Sequence, residues 1–242
     1  MANTRGERAE TIIGLLKKVY PQAKIVLRYS NPWELLVAVI LSAQCTDVTV
    51  NKVTEKLFAK YKTLDAYVHA NIARFEADIK STGFYHNKTK NILAAARLVK
   101  EKFDGKVPRT MAELQALPGV ARKTANVVLG NAYGVVEGIA VDTHVLRLSQ
   151  RLRLVDLDRI GGKKVVCFRP SASRAGLERA ALDYKKDADP VKIEQRLMAV
   201  IPKKDWFKTT YLLINHGRAV CKAQKPDCRH CILSQFCPAS RI

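Results

Sequence analysis

The chain has 242 residues, enough for one large or two modest domains, and its 48% hydrophobic content can fill a sizeable core. Lys and Arg number 42 against 22 Asp and Glu, and the resulting +20 favours a polyanion bound in a salt-dependent way. Nucleic acid is the leading partner and an anionic membrane surface the alternative; a spanning helix is excluded, because no apolar run reaches the ~18 residues it needs.

The first ten residues, Met1 to Glu10, lack the apolar stretch of a signal peptide, so the chain is expected to stay in the reducing cytosol. There, six cysteines argue for metal binding rather than disulfides. Ile12, Ile13, Leu15, Leu16 and Val19 share one face and predict a helix from about Arg5 to Tyr20, which Pro21 ends. A second helix opens at Pro32-Trp33 and is apolar nearly all round, hence buried. It runs into Leu41-Ser-Ala-Gln-Cys-Thr-Asp47, where Thr46 or Asp47 can cap a helix from about Val48 to Tyr61. On composition Gln44 is an ordinary polar residue at a helix end. Cys45 is small and reads as packing, with no chemistry assigned.

Two short helices are predicted near residues 64–70 and 72–80. Gly83-Phe-Tyr-His-Asn-Lys88 then leads into a long helix ending near Phe103. Phe84 and Tyr85 have two readings: core packing, or an aromatic wedge that enters a stack of bases.

A short helix near residues 111–117 precedes the most informative stretch, Leu117 to His144. Leu117-Pro118-Gly119-Val120 is a tight apolar turn: Pro118 presets its own φ, and Gly119 can adopt angles closed to other residues. Ala121 and Arg122 lead into an apolar helix that carries Ala125, Val127, Val128, Leu129 and Ala132. Free amides at its start, beside a glycine that admits a ligand closely, suit a phosphate. The run Leu117, Pro118, Gly119, Val120, Ala121 and Arg122 therefore reads as a hairpin that grips a phosphodiester backbone.

Lys123 lies in the first turn of that helix. The positive end of the helix dipole and partial desolvation lower an amine's proton affinity, and only neutral amine attacks carbon. Asp142 comes nineteen positions later, after Gly134 and Gly138 break the helix. A carboxylate there could orient the amine, accept its proton and offset a cationic sugar intermediate. It could equally cap the helix that follows, or do both. Taken alone, Lys123 could be a solvated helix lysine; the joint spacing makes it a candidate nucleophile.

The next helix runs to about Leu154, with Val145, Leu146 and Leu148 apolar and Arg147, Arg151 and Arg153 basic. Residues 155–186 are rich in Arg159, Lys163, Lys164, Arg169 and Arg174, and read as a surface loop, a small helical insert or an added polyanion contact. Cys167 within them stands apart from the other thiols. Helices resume near residues 190–201 and 205–217, and no strand is expected. The C-terminal C-x6-C-x2-C-x5-C places Cys221, Cys228, Cys231 and Cys237 within reach of one metal centre. Zinc and an iron–sulfur cluster both fit that spacing, with His230 a rival ligand.

L-P-G-V-x-R-K-T-A followed by I-A-V-D-T-H resembles the helix-hairpin-helix DNA glycosylases, and within them the endonuclease III family; L-S-A-Q-x-T-D and the cysteine spacing resemble it too. The resemblance implies an all-α, two-lobed fold. One lobe is a helical bundle over 25–133 that carries the hairpin. The other joins 1–24 to 134–242, with the cluster loop and the insert at about 155–186, and Lys123 and Asp142 face each other across the cleft.

It further implies Lys123 as Schiff-base nucleophile, Asp142 as essential carboxylate and Gln44 as the filler of the gap left by a flipped base. Phe84 takes the place of the usual leucine beside Tyr85. The four cysteines would bind a [4Fe-4S] cluster, and Lys222 and Lys225 on that loop would contact phosphate. The implied activity is that of a monomeric, bifunctional DNA glycosylase and AP lyase. It would act in the cytoplasm, at the nucleoid in a prokaryote, on double-stranded DNA carrying an oxidised pyrimidine or an abasic site. Two other readings are a monofunctional mismatch or adenine glycosylase, which usually lacks the lysine, and a non-catalytic, cluster-bearing DNA-binding protein. The chain departs from the pattern at Cys45, at Ala121 (usually glycine), at the insert, and in a Lys123–Asp142 linker one residue longer than usual.

Overall fold

The computed structural model describes residues 4–168 and 181–242. Helices dominate, and the chain divides into two units: Ile25–Glu137, and the residues up to Lys24 together with Gly138–Ile242. Among the described residues no helix is long and apolar enough to cross a membrane.

α1 (Arg5–Val19) starts at a capping box in which Thr4 accepts from the Glu7 amide and Glu7 accepts from that of Thr4. Within Ile25–Glu137, most helix starts were written into the sequence as caps. α2 (Pro32–Leu41), α3 (Asp47–Lys60), α4 (Leu64–Val68) and α5 (Ile72–Ile79) begin behind Asn31, Thr46, Thr63 and Asn71, each accepting a first-turn amide. α6 (Tyr85–Lys102) has no side-chain cap. α7 (Met111–Gln115) is capped by Thr110, and α8 (Arg122–Tyr133) again has no side-chain cap.

Apolar residues from Leu35 to Leu41 are all buried, so α2 is the core of this unit, packed against α8, α3 and α6. Tyr67 lies 5.3, 5.4 and 5.9 Å, centroid to centroid, from the rings of Trp33, Tyr61 and Phe75, which places the unit's aromatic packing there.

The other unit is built around α9 (Thr143–Arg151). The helix stops at Arg151, three residues short of the expected end, where Arg153 takes a left-handed φ of 51°. The insert, expected to hold no strand, contains two: β1 (Val165–Phe168) and β2 (Ala181–Lys185), paired antiparallel. Val166 pairs with Tyr184 and Cys167 with Leu182, so the bulge between them leaves Asp183 unpaired on β2.

Long-range bonds, invisible to local patterning, hold these strands. The Gln150 side chain accepts from the Lys185 amide at 2.8 Å and donates to its carbonyl at 3.1 Å, in the manner of a neighbouring strand. Arg159, Lys163 and Lys164 are exposed, whereas Arg169 and Arg174 lie outside the described residues. α10 (Pro190–Met198) and α11 (Trp206–Ala219) complete the unit, with α11 packed on α1 and α9.

Candidate active site and cysteine loop

The hairpin turn closes through a hydrogen bond from the Val120 amide to the Leu117 carbonyl at 3.1 Å. Pro118 stands second and Gly119 third, with φ 78°, which are the positions a type II turn gives those residues. A Cβ on Gly119 would sit 2.8 Å from the Cβ of Asn91, so close packing requires glycine as much as the φ does. Leu117 and Val120 point inward and are buried; they anchor the turn and leave its backbone to the outside. Ala121, extended at φ −85° and ψ 169°, offers no side-chain oxygen to the first turn of α8, where Arg122 and Lys123 are half-buried. A helix start of that kind accepts an anion.

Two further expected contacts share a backbone oddity. Gln44 and Phe84 have φ of 52° and 50°, left-handed values that cost an ordinary side chain on the order of 1 kcal/mol or more. Both are exposed, Phe84 by 63%, so core packing does not account for it. Tyr85 is half-buried and stacks on His86 at 4.1 Å. Beneath them lies a residue with no role in the sequence reading. Lys88 is buried, and its Nζ donates to the carbonyls of Leu41 and Thr82, each at 2.8 Å. Burial lowers its pKa, with the Cys45 thiol acting in the opposite direction.

In the other unit, Asp142 is the N-cap of α9. Its Oδ1 takes both bonds, from the amides of His144 at 2.9 Å and Val145 at 2.8 Å.

The four C-terminal cysteines line one cavity, along with Arg151 and His216. Arg151 donates from Nη1 to the Cys221 sulfur at 3.3 Å, and His216 Nε2 lies 3.4 Å from the Cys231 sulfur. Burial raises the Cys231 pKa and pushes that of Cys237 up to about 12, with the neighbouring thiols adding to both; burial also pushes His216 down to about 4. Gathering four thiolates here therefore calls for a cationic centre to offset their charge. Among the described residues no three His, Cys, Asp or Glu side chains form a site for a metal ion, and the thiols instead ring a shared cavity. His230 faces solvent, bonded to Asp227 at 2.8 Å, and does not line that cavity. Cys45 and Cys167 do not line it either, and Lys222 and Lys225 are exposed on the loop.

Two arginines of α9, legible in sequence only as basic residues, fix the loop. Arg151 is 2% exposed. It donates to the carbonyls of Lys222 and Ala223 at 2.8 and 2.7 Å, and forks onto Asp183, itself 0% exposed, at 2.8 and 2.7 Å. Arg147 donates to the Cys221 carbonyl at 2.9 Å. The spacing of Arg147 and Arg151, one helical turn apart among the apolar residues of α9, was the available signal. Asp183 gave none.

A family model described as "HhH-GPD superfamily base excision DNA repair protein" matches residues 37–164, a span that includes both Lys123 and Asp142. The chain is 46% identical to the endonuclease III of Synechocystis sp. over 98% of its own length and 95% of that protein. The chain belongs to the endonuclease III family. Members of the endonuclease III family are DNA glycosylases and AP lyases, and the relative from Bacillus subtilis is 42% identical over 96% of this chain and 92% of that protein. A non-covalent endonuclease III–DNA complex is similar in structure, with a TM-score of 0.82 and 39% identity over 98% of this chain and 97% of that one. A thermostable thymine-DNA glycosylase, 20% identical over 98% of this chain and 99% of that one, shares the fold at a TM-score of 0.75.

Proposed function

We propose that this chain removes oxidised pyrimidines from double-stranded DNA and then cuts the strand, working as a monomer in a reducing cytosol. The observation that carries the reading is the uncapped start of α8 behind the Gly119 turn, with Lys123 in its first turn. Amides of the run Leu117 to Arg122 hold a phosphate of the damaged strand. The lesion is extruded, because its anomeric carbon is shielded in the stack. Gln44 fills the space it vacates, and Phe84, next to Tyr85, enters the stack as a wedge.

The neutral amine of Lys123 attacks C1′. The glycosidic bond breaks, and the base leaves with the bonding electron pair and gains a proton. The nitrogen lone pair then opens the sugar ring to a Schiff base, which acidifies the C2′ proton. Loss of that proton expels the 3′ phosphate and breaks the strand. Asp142 keeps Oδ1 on the α9 amides, and Oδ2 accepts the amine's proton.

Cys221, Cys228, Cys231 and Cys237 hold a [4Fe-4S] cluster. Four thiols around a shared cavity, with an arginine donating to one sulfur, support that donor set. When bound, the cluster supplies a rigid staple, so that Lys222 and Lys225 meet phosphate in a fixed arrangement.

The test is borohydride trapping on duplex DNA containing thymine glycol, with Lys123→Ala alongside. A covalent adduct that disappears in the variant is expected. Base release without an adduct would move the assignment to a monofunctional glycosylase. Iron and acid-labile sulfide in the purified protein test the cluster, and zinc in their place would overturn it.

A further inference from the structure

Lysine is seldom buried without a partner of matching chemistry, and Lys88 is 5% exposed. Its two partners are main-chain carbonyls that have no helical amide to accept from. Leu41 is the last residue of α2, and Thr82 ends the short helical turn Lys80–Thr82 that follows α5. Carbonyls at helix ends carry the negative pole of the helix and attract a cation. Here a single ammonium, 2.8 Å from each oxygen, closes both ends at once.

The chain leaves those two ends toward the two exposed left-handed residues. Gln44 lies three positions past Leu41, and Phe84 two past Thr82. Lys88 is bound to the second of them from its own helix as well, since its amide donates to the Phe84 carbonyl at 3.1 Å. Backbone strain at exposed, bulky side chains persists only where the surroundings over-determine it. Lys88 supplies that constraint for both loops.

We propose that Lys88 is a positioning residue for base extrusion, a clamp that fixes the spacing of Gln44 and Phe84 so that filler and wedge enter the duplex together. This rests on the glycosylase reading given above. Lys88 touches no DNA in this account and acts only through the two loops. Without it each loop could still reach the stack, but the two would no longer arrive in register, and the cost of unstacking would be met less often.

The discriminating experiment compares one thymine glycol in two duplexes: opposite adenine, and opposite thymine, a mismatch that leaves the lesion unpaired and extrusion cheap. Single-turnover base release is measured for the full-length protein and for Lys88→Met, which keeps the stem and removes the donors. Release from the paired lesion should slow about ten- to a hundredfold, while the unpaired lesion changes by no more than about threefold. In a Gln44→Ala/Phe84→Ala background, Lys88→Met should add almost nothing, because interacting sites are not additive. Should Lys88→Met fail to fold, Lys88→Gln, which retains a donor for one carbonyl, serves the same comparison. Equal losses on both duplexes, or full additivity with the two loop substitutions, would overturn the clamp. No base release by the unaltered chain from either duplex would overturn the glycosylase reading, and the clamp with it.

Discussion

Replacing Asp183 with alanine should unfasten the cysteine loop from a distance of 38 residues in sequence. Asp183 and Arg151 are 0% and 2% exposed and joined by two bonds of 2.8 and 2.7 Å, so truncation strands a guanidinium in the interior. Removing one partner of a buried pair costs about 3–5 kcal/mol, most of it from the charge left uncompensated. The upper half of that range is expected, because Arg241 also meets Asp183, at 3.3 Å, and loses it too. For a chain of this size that lowers the melting temperature on the order of 10 °C. Calorimetry on Asp183→Ala, with iron content measured on the same sample, reads both the stability and the hold on the loop. The double variant Asp183→Leu/Arg151→Met should regain much of the stability, since no charge is left buried, but not the bonds to the Lys222 and Ala223 carbonyls. A loss below about 1 kcal/mol for Asp183→Ala would refute the argument, because it would mean the pair is not desolvated.

Gly119→Ala should cost about 1–3 kcal/mol, from a strained φ and a clash with Asn91, and should weaken duplex binding in a filter or anisotropy assay. Asp142→Asn should separate two roles. Asparagine caps as well as aspartate, so the melting temperature should stay within a few degrees while single-turnover base release collapses. Acid should loosen the strand pair through Asp187, whose carboxyl is held below its usual pKa by the amides of Lys164 and Lys163. A depressed folded pKa means that the stabilisation is present above the unfolded value of about 3.9 and is lost as pH falls through the folded one. The protection factors of the Lys163 and Lys164 amides, taken against the intrinsic exchange rate at each pH, should therefore fall in acid, and Asp187→Asn should flatten that dependence.

The parts of this protein legible in sequence are those where chemistry is local. Thr46 and Asp142 announced helix starts because a cap needs only its own next three residues. The hairpin was legible for the same reason, Pro118 and Gly119 dictating the turn by themselves. The strand pair was not. Val165 and Val166 sit beside two lysines in so short a run that the pairing depends on Gln150 of α9 and on Arg153 just beyond its end, which bond to β2. Arg147 and Arg151 are legible in sequence only as basic residues, and only tertiary structure supplies Asp183. Phe84 has two sequence readings, core packing and a wedge, because aromatic residues serve both, and its 63% exposure removes the first.

The order of the units along the chain bears on synthesis. Ile25–Glu137 is one continuous segment and can finish folding while the rest is still being made. The unit that flanks it cannot. α1 is made before that segment, yet its partners all come later: Arg5 pairs with Asp156, Lys17 with Asp205, and the Tyr20 hydroxyl lies 3.3 Å from His216. Until α11 is made, the apolar stripe of Ile12, Ile13 and Leu16 lacks the helix on which α1 packs. It must wait until α11 emerges, only a few residues ahead of the cysteines, so closing this half of the molecule and assembling its thiols become neighbouring events in time.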